Sequence, residues 1–232
     1  MKKTFKLVIC FVLPTFLFIF TGCSDKTGTG ESARGVPQAM PDIDYQKWLN
    51  HDAEQEAQIA LGDILLVYHE ENSDLNNVLW VNPGGIARDP VFSGATVPGS
   101  VSPRGLDSVV VVNMNADGAK SELERLYKEK NREVTLQLKN LRNCILLSGE
   151  FAKPGLYELR DGKPLEKVIE EAQGFSNLAD QTLISVFHKE AGAVSIKRFN
   201  LKNKKDKEEV KTYQILPGDR ITVLRKINYS TN

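Results

Sequence analysis

NCILLSGEFAKPGLYEL (residues 143–159) holds an apolar run, a Pro154-Gly155 pair and a second run in which apolar and polar residues mix. Proline presets one backbone dihedral and glycine opens conformations closed to other residues, so the pair predicts a turn and its flanks predict a two-stranded hairpin. Directly downstream, KPLEKVIEEAQGF (163–175) sets Leu165, Val168, Ile169 and Ala172 on one helical face, and Gly174 stands where a C-terminal cap belongs. LISVFHK (183–189) and VSIKRF (194–199) predict a further pair of strands around residues 190–192. NLKNKKDKEEVK (200–211) reads as a charged, mobile loop. YQILPGDRITVLRK (213–226) reads as strand, turn and closing strand.

Two strands, a helix and four strands in this order predict one helix laid across a small mixed sheet, a β-grasp-like plan. Working upstream, VTLQLKNL (134–141) alternates at period two and predicts a half-buried strand. Residues 117–133 carry Ala119, Leu123 and Leu126 as a helical stripe, with Asp117 or Asn115 as cap. SVVVV (108–112) predicts a short buried strand. Residues 75–107 alternate short apolar runs such as VLWV (78–81) with turn-forming groups, which predicts short strands and long exposed loops. ALGDILLV (60–67) places a Gly-Asp turn before a strand, as LPGDRITV (216–223) does near the other end. The segments after the two turns share neither length nor pattern, so the chain reads as two different domains. Ile43, Tyr45, Trp48, Leu49 and Ala53 predict a short helix before the first turn. The fold class expected is α+β: a small mixed-sheet domain over 58–142, then a β-grasp-like domain over 143–226, with a tail at 227–232.

The 232 residues are 41% hydrophobic and 26% charged, with equal numbers of basic and acidic side chains. That balance excludes a general nucleic-acid binder, which needs a basic surface to displace counterions from phosphates. At the N-terminus, Lys2, Lys3 and Lys6 precede an apolar stretch from Leu7 to Phe20, too short to span a bilayer comfortably and broken by Pro14. It reads as an export signal over residues 1–22. Phe20-Thr21-Gly22-Cys23 resembles the lipobox of bacterial lipoproteins, in which the cysteine is acylated and becomes the first residue after cleavage. The alternative is a plain signal or an N-terminal anchor with an incidental cysteine. More than one acyl chain makes attachment stable where a single chain is marginal. Ser24 after the cysteine implies, by the same resemblance, sorting to the outer membrane, with the folded part facing the periplasm. Loss of the three signal lysines leaves the mature chain about three charges negative. Residues 23–57 combine a Ser, Thr, Gly and Pro-rich tether with the short helix.

A search for reaction chemistry ends without a constellation. His51, His69 and His188 are far apart, with no HExxH, so no metal site or cofactor is expected. Ser148 precedes Gly149 without a GxSxG motif. Cys10 falls in the signal and Cys23 in the lipobox, so Cys144 has no partner and reads as a buried small hydrophobe. Asp63 and Asp219 read as turn residues rather than a carboxylate pair. Trp48, Trp80, Tyr45 and Tyr68 could stack on sugar rings, although core packing is the ordinary fate of such residues. Residues 202–207 could meet an acidic glycan, but Glu208 and Glu209 favour a solvated segment. No enzyme is expected, and the ligand-binding residues stay unassigned.

Gly149-Glu150, Pro154-Gly155, Leu156-Tyr157-Glu158-Leu159, Leu165 to Gly174 and Leu216-Pro217-Gly218-Asp219 with Ile221 and Val223, taken in order, resemble the soluble ligand-binding β-grasp domain (SLBB). The family usually carries Ala-Gly-Gly at the helix end, where this chain has Ala172-Gln173-Gly174. The Gly62-Asp63 turn, the helix with Leu123 and Leu126, and VTLQLKNL resemble the export domain of bacterial polysaccharide export lipoproteins. Signal, lipobox, tether, export domain and β-grasp domain follow that family's order, and the resemblance runs over residues 58–226, with 72–107 matching poorly. The resemblance implies a homo-oligomeric ring that conducts a capsular or extracellular polysaccharide, working with an inner-membrane polymerisation and export partner and performing no bond chemistry. Pore-lining members carry a C-terminal amphipathic helix, whereas the sequence here ends in KINYSTN. That implies a periplasmic ring beneath a separate pore, or an altered role. The competing expectation is a monomeric periplasmic lipoprotein whose β-grasp module binds a ligand or glycan.

Overall fold

A computed structural model describes residues 43–83, 98–190 and 193–226. The expected signal, Cys23, most of the tether, part of the loop region and the tail lie outside the described residues. In chain order the elements are α1 (Tyr45–Leu49), β1 (Ile64–His69), a 3-10 turn (Ser73–Leu75), β2 (Asn77–Trp80), β3 (Ser100–Val101), β4 (Val109–Val110), α2 (Ala116–Glu129), β5 (Leu136–Leu141), β6 (Cys144–Gly149), β7 (Gly155–Glu158), β8 (Lys163–Pro164), α3 (Leu165–Glu171), β9 (Ala179–Glu190), β10 (Ala193–Phe199), α4 (Lys204–Val210), β11 (Gln214–Ile215) and β12 (Arg220–Arg225). The fold is α+β.

Strand alternation decides the layers. In the three-stranded antiparallel sheet β2-β1-β5, Leu65, Val67, Leu79, Leu136 and Leu138 join Ala119, Leu123 and Tyr127 of α2 in one core. The alternate residues Ile64, Leu66, Val78 and Trp80, with Leu141, enter a second core shared with Cys144, Leu146 and Phe187 of the other sheet. That sheet has the order β10-β9-β12-β6-β7, and its remaining face, with Ile145, Leu147, Ile184, Val186, Ile221 and Val223, packs against Leu165 and Val168 of α3. Helix, sheet, sheet and helix therefore stack in four layers, and each apolar strand face finds a partner. The predicted β6–β7 hairpin forms, and β6 and β12, the first and last long strands of this half, lie side by side in parallel.

Asn115 caps α2 by accepting from the Gly118 amide at 2.8 Å. The helix ends at Glu129, short of the predicted 133, because Asn131 turns left-handed at φ 57°. Two further expectations are corrected. Residues 200–211 do not form a loop: Asn203 caps α4 through the Lys205 amide, Asp206 accepts from the Asn200 amide at 2.8 Å, and Val210 is buried beside α3. A helical register that reaches the core only through Val210 leaves no apolar periodicity to read among the charges. Residues 108–112 are only partly buried, because β4 pairs with β3 alone and leaves Val110 exposed. Residues 213–226 form the expected strand, turn and strand, with β11 paired to β8 and β12 entering the main sheet.

Candidate functional site

The two Gly-Asp turns are built alike and converge on one strand. Gly62 and Gly218 adopt φ of 82° and 92°, which lets the chain double back before β1 and β12. In each turn the Asp amide donates to the carbonyl three residues earlier, and the carboxylate takes that residue's amide in return. Asp63 Oδ2 accepts from Ala60 N, and Asp219 Oδ2 from Leu216 N, both at 2.9 Å. The second oxygen of each turns to β9: Asp63 Oδ1 pairs with Lys189 Nζ, and Asp219 Oδ1 meets His188 Nδ1 at 2.6 Å. Neighbouring residues of one strand thus hold both turns. Asn140 Nδ2 also donates to Asp63 at 2.9 Å. A Cβ on Gly62 would lie 3.0 Å from Val194 of β10, which shows how closely the first turn sits against the second sheet. Burial pushes the Asp219 carboxyl above its ordinary range, against the Leu216 amide and His188, which pull it down.

Between these turns the sheets enclose an aromatic and cationic centre. The Trp80 and Phe187 rings meet edge to face at 5.1 Å, and the Arg220 guanidinium lies 4.9 Å from the Trp80 ring. Arg220 Nε donates to Ser148 Oγ at 3.2 Å, and Ser148 shares a 2.8 Å hydrogen bond with Thr222. Trp48 is buried in the same seam, while Tyr45 and Tyr68 stand half-buried at its rim with ring centroids 6.5 Å apart. The four aromatics singled out in the sequence are therefore brought together, and the two tryptophans serve packing. Cys144 is a buried thiol pushed up to about 12 by desolvation, which leaves it unreactive. At the Gly149-Glu150 pair, a Cβ on Gly149 would lie 1.9 Å from the Val223 carbonyl oxygen. Burial raises the Glu150 carboxyl, but bonds from Ser176 and Arg225 and the Arg225 charge outweigh it and hold the group low.

The three histidines stay apart: His51 bonds the Arg142 carbonyl, His188 meets Asp219, and His69 lies under α2. Among the described residues, no group of three or more His, Cys, Asp or Glu is placed to hold a metal. Open grooves also mark the described surface, and two of them stand out. One, of about 350 Å³, runs between α3 and α4, floored by Ile169, Leu201 and Val210 and rimmed by Glu166, Glu170 and Lys207. The other, of about 600 Å³, lies at the end of β1, between the 3-10 turn and the segment that follows α2, and it includes His69. The sequence assigns His69 no role, because a lone histidine at a strand end carries no motif.

Residues 145–199, from β6 through β10, match the sequence model of the SLBB domain, which occurs in polysaccharide export proteins. No curated protein matches the chain.

Proposed function

We propose that this chain is a lipid-anchored component of a capsular or extracellular polysaccharide export machine, tethered through Cys23 to the outer membrane and facing the periplasm. The observation that carries this reading is the SLBB match over residues 145–199, on a half-domain whose sheet is packed against a second, upstream half. SLBB is a binding and transport family, so the role is to hold and guide glycan rather than to cut or join it. The lipobox-like Phe20-Thr21-Gly22-Cys23 supports the anchor, and the order of the two halves supports a homo-oligomeric ring or adaptor that meets an inner-membrane partner. A closed ring needs a heterologous interface, in which one face of a protomer meets a different face of the next.

A monomeric glycan-binding lipoprotein is the second reading. It is favoured by how few large hydrophobics are exposed among the described residues, Val110, Leu178 and Leu216, which come from three separate segments of the chain. The mass of the full chain in detergent separates the two: a discrete multimer supports the ring, and a monomer at high concentration contradicts it. Labelling with radioactive palmitate tests the anchor. The wild-type chain is expected to take up label and Cys23→Ala to take up none; equal labelling would remove the anchor from the account.

A further inference from the structure

The groove at the end of β1 contains an unusual buried group. His69 is 2% exposed, and neither ring nitrogen has a hydrogen-bond partner. Its amide is engaged, donating to Asn76 Oδ1 at 2.6 Å, and its ring meets Tyr127 edge-on at 5.4 Å. Desolvation lowers its pKa, opposed by the charge of Glu124, which favours the uncharged ring. Neutral imidazole presents one N–H donor and one acceptor nitrogen, and burying both unpaired carries the full desolvation cost of each. His69 lines the open groove at the end of β1 while its two nitrogens lie just beneath the surface, so a small side-chain shift would let a ligand in the groove satisfy one of them.

The walls are held in place without a ligand. Arg104 Nη1 donates to the Asp74 carbonyl at 3.2 Å, fixing the 3-10 turn from outside. On the other side, Arg132 N returns to the Tyr127 carbonyl at 3.0 Å, and Leu136 N donates to Glu124 at 3.1 Å. Most of the lining residues carry polar or charged side chains, and Leu75 and Val134 add an apolar share. Glu71, Asp74 and Glu133 against the single cation Arg132 disfavour an anion, and the absence of a metal-holding cluster among the described residues disfavours a bare cation. Carboxylates, Asn72 and Thr135 around a donor–acceptor imidazole suit adjacent hydroxyls, and a volume of about 600 Å³ is within the range of small-ligand sites.

We propose that this groove is a saccharide subsite that takes one or two uncharged sugar rings, with His69 bonding a hydroxyl at its inner end. The identity of the ligand as a sugar rests on the glycan-handling reading above; the existence of a site rests on the groove and its unpartnered histidine. The test titrates full-length, 15N-labelled protein in detergent with glucose, N-acetylglucosamine, their β-1,4-linked disaccharides and glucuronate, following backbone amides and the His69 ring nitrogens. The expected result is shifts confined to residues 69–75 and 132–135 and to the His69 ring, with glucuronate at least tenfold weaker than the neutral sugars. His69→Phe, which keeps an aromatic of similar shape, is expected to weaken binding at least tenfold, and Glu133→Gln, at the exposed rim, to weaken it while the fold is kept.

No shift in these segments with any of the sugars, undiminished binding by His69→Phe, or binding of glucuronate as tight as glucose would overturn the subsite. Its failure is distinct from failure of the export role. A strain lacking the chain that loses export while the groove binds nothing sinks only the subsite; sugar binding at His69 without any export defect sinks only the export reading.

Discussion

At the residue scale, one side-chain type does two jobs in each Gly-Asp turn. Asp219 closes the turn through one oxygen and holds His188 with the other. Asp219→Asn keeps an acceptor for the Leu216 amide and is expected to cost less than about 1 kcal/mol, whereas Asp219→Ala frees a buried amide and is expected to cost about 2 kcal/mol. Urea unfolding of both variants checks this ordering. His69 sets a pH dependence. Its folded pKa lies below the unfolded value near 6.5, so the unfolded chain takes up the proton first. Stability is then full above about pH 6.5 and declines as pH falls from there toward the lower folded value. A series of thermal melts should show that decline in the wild type and a shallower one in His69→Phe. An equal slope in both would mean that the ring does not titrate on unfolding.

At the element scale, the hairpin and α3 were legible, because Pro154-Gly155 and the spacing of Leu165, Val168 and Ala172 are local signals. The termination of α3 was read in part. Gln173, at φ 59°, takes the first left-handed position and Gly174 the second. Glycine pays no steric penalty there, so Gln173→Gly is expected to stabilise the protein by about 1 kcal/mol. Helix α4 was not legible, since Val210 and the Asn203 cap are its only outward marks in a run of lysines and glutamates. If the helix docks through Val210, Val210→Ala should cost about 1–2 kcal/mol in chemical unfolding, where a mobile loop would give a change near zero. Gly149 marks a tighter constraint. Its left-handed backbone and the Val223 carbonyl leave no space for a side chain, so Gly149→Ala is expected to lose more than about 3 kcal/mol, read as a large fall in Tm.

At the scale of the whole molecule, the sequence announced two kinds of half-domain but not how they meet. Alternation in VTLQLKNL marks one apolar face, ILLVYH is apolar on both, and only the fold reveals that its second face is buried against Leu146 and Phe187. The same holds for Lys189, whose partner Asp63 is 126 positions away and belongs to the other half. Single and double replacement of Asp63 and Lys189 by alanine should yield a coupling energy of about 1 kcal/mol, limited by the partial exposure of the lysine. Additive effects would show that the pair does not tie the halves together.

The export role proposed for this chain would be a property of the assembled envelope, and the polysaccharide itself reports it most directly. Glycan is measured in the medium, at the cell surface and inside the envelope of a strain lacking this chain, then again after the full chain is restored. The account predicts that released and surface glycan fall while glycan accumulates behind the outer membrane, and that both changes reverse on restoration. Unchanged glycan in every fraction would contradict it.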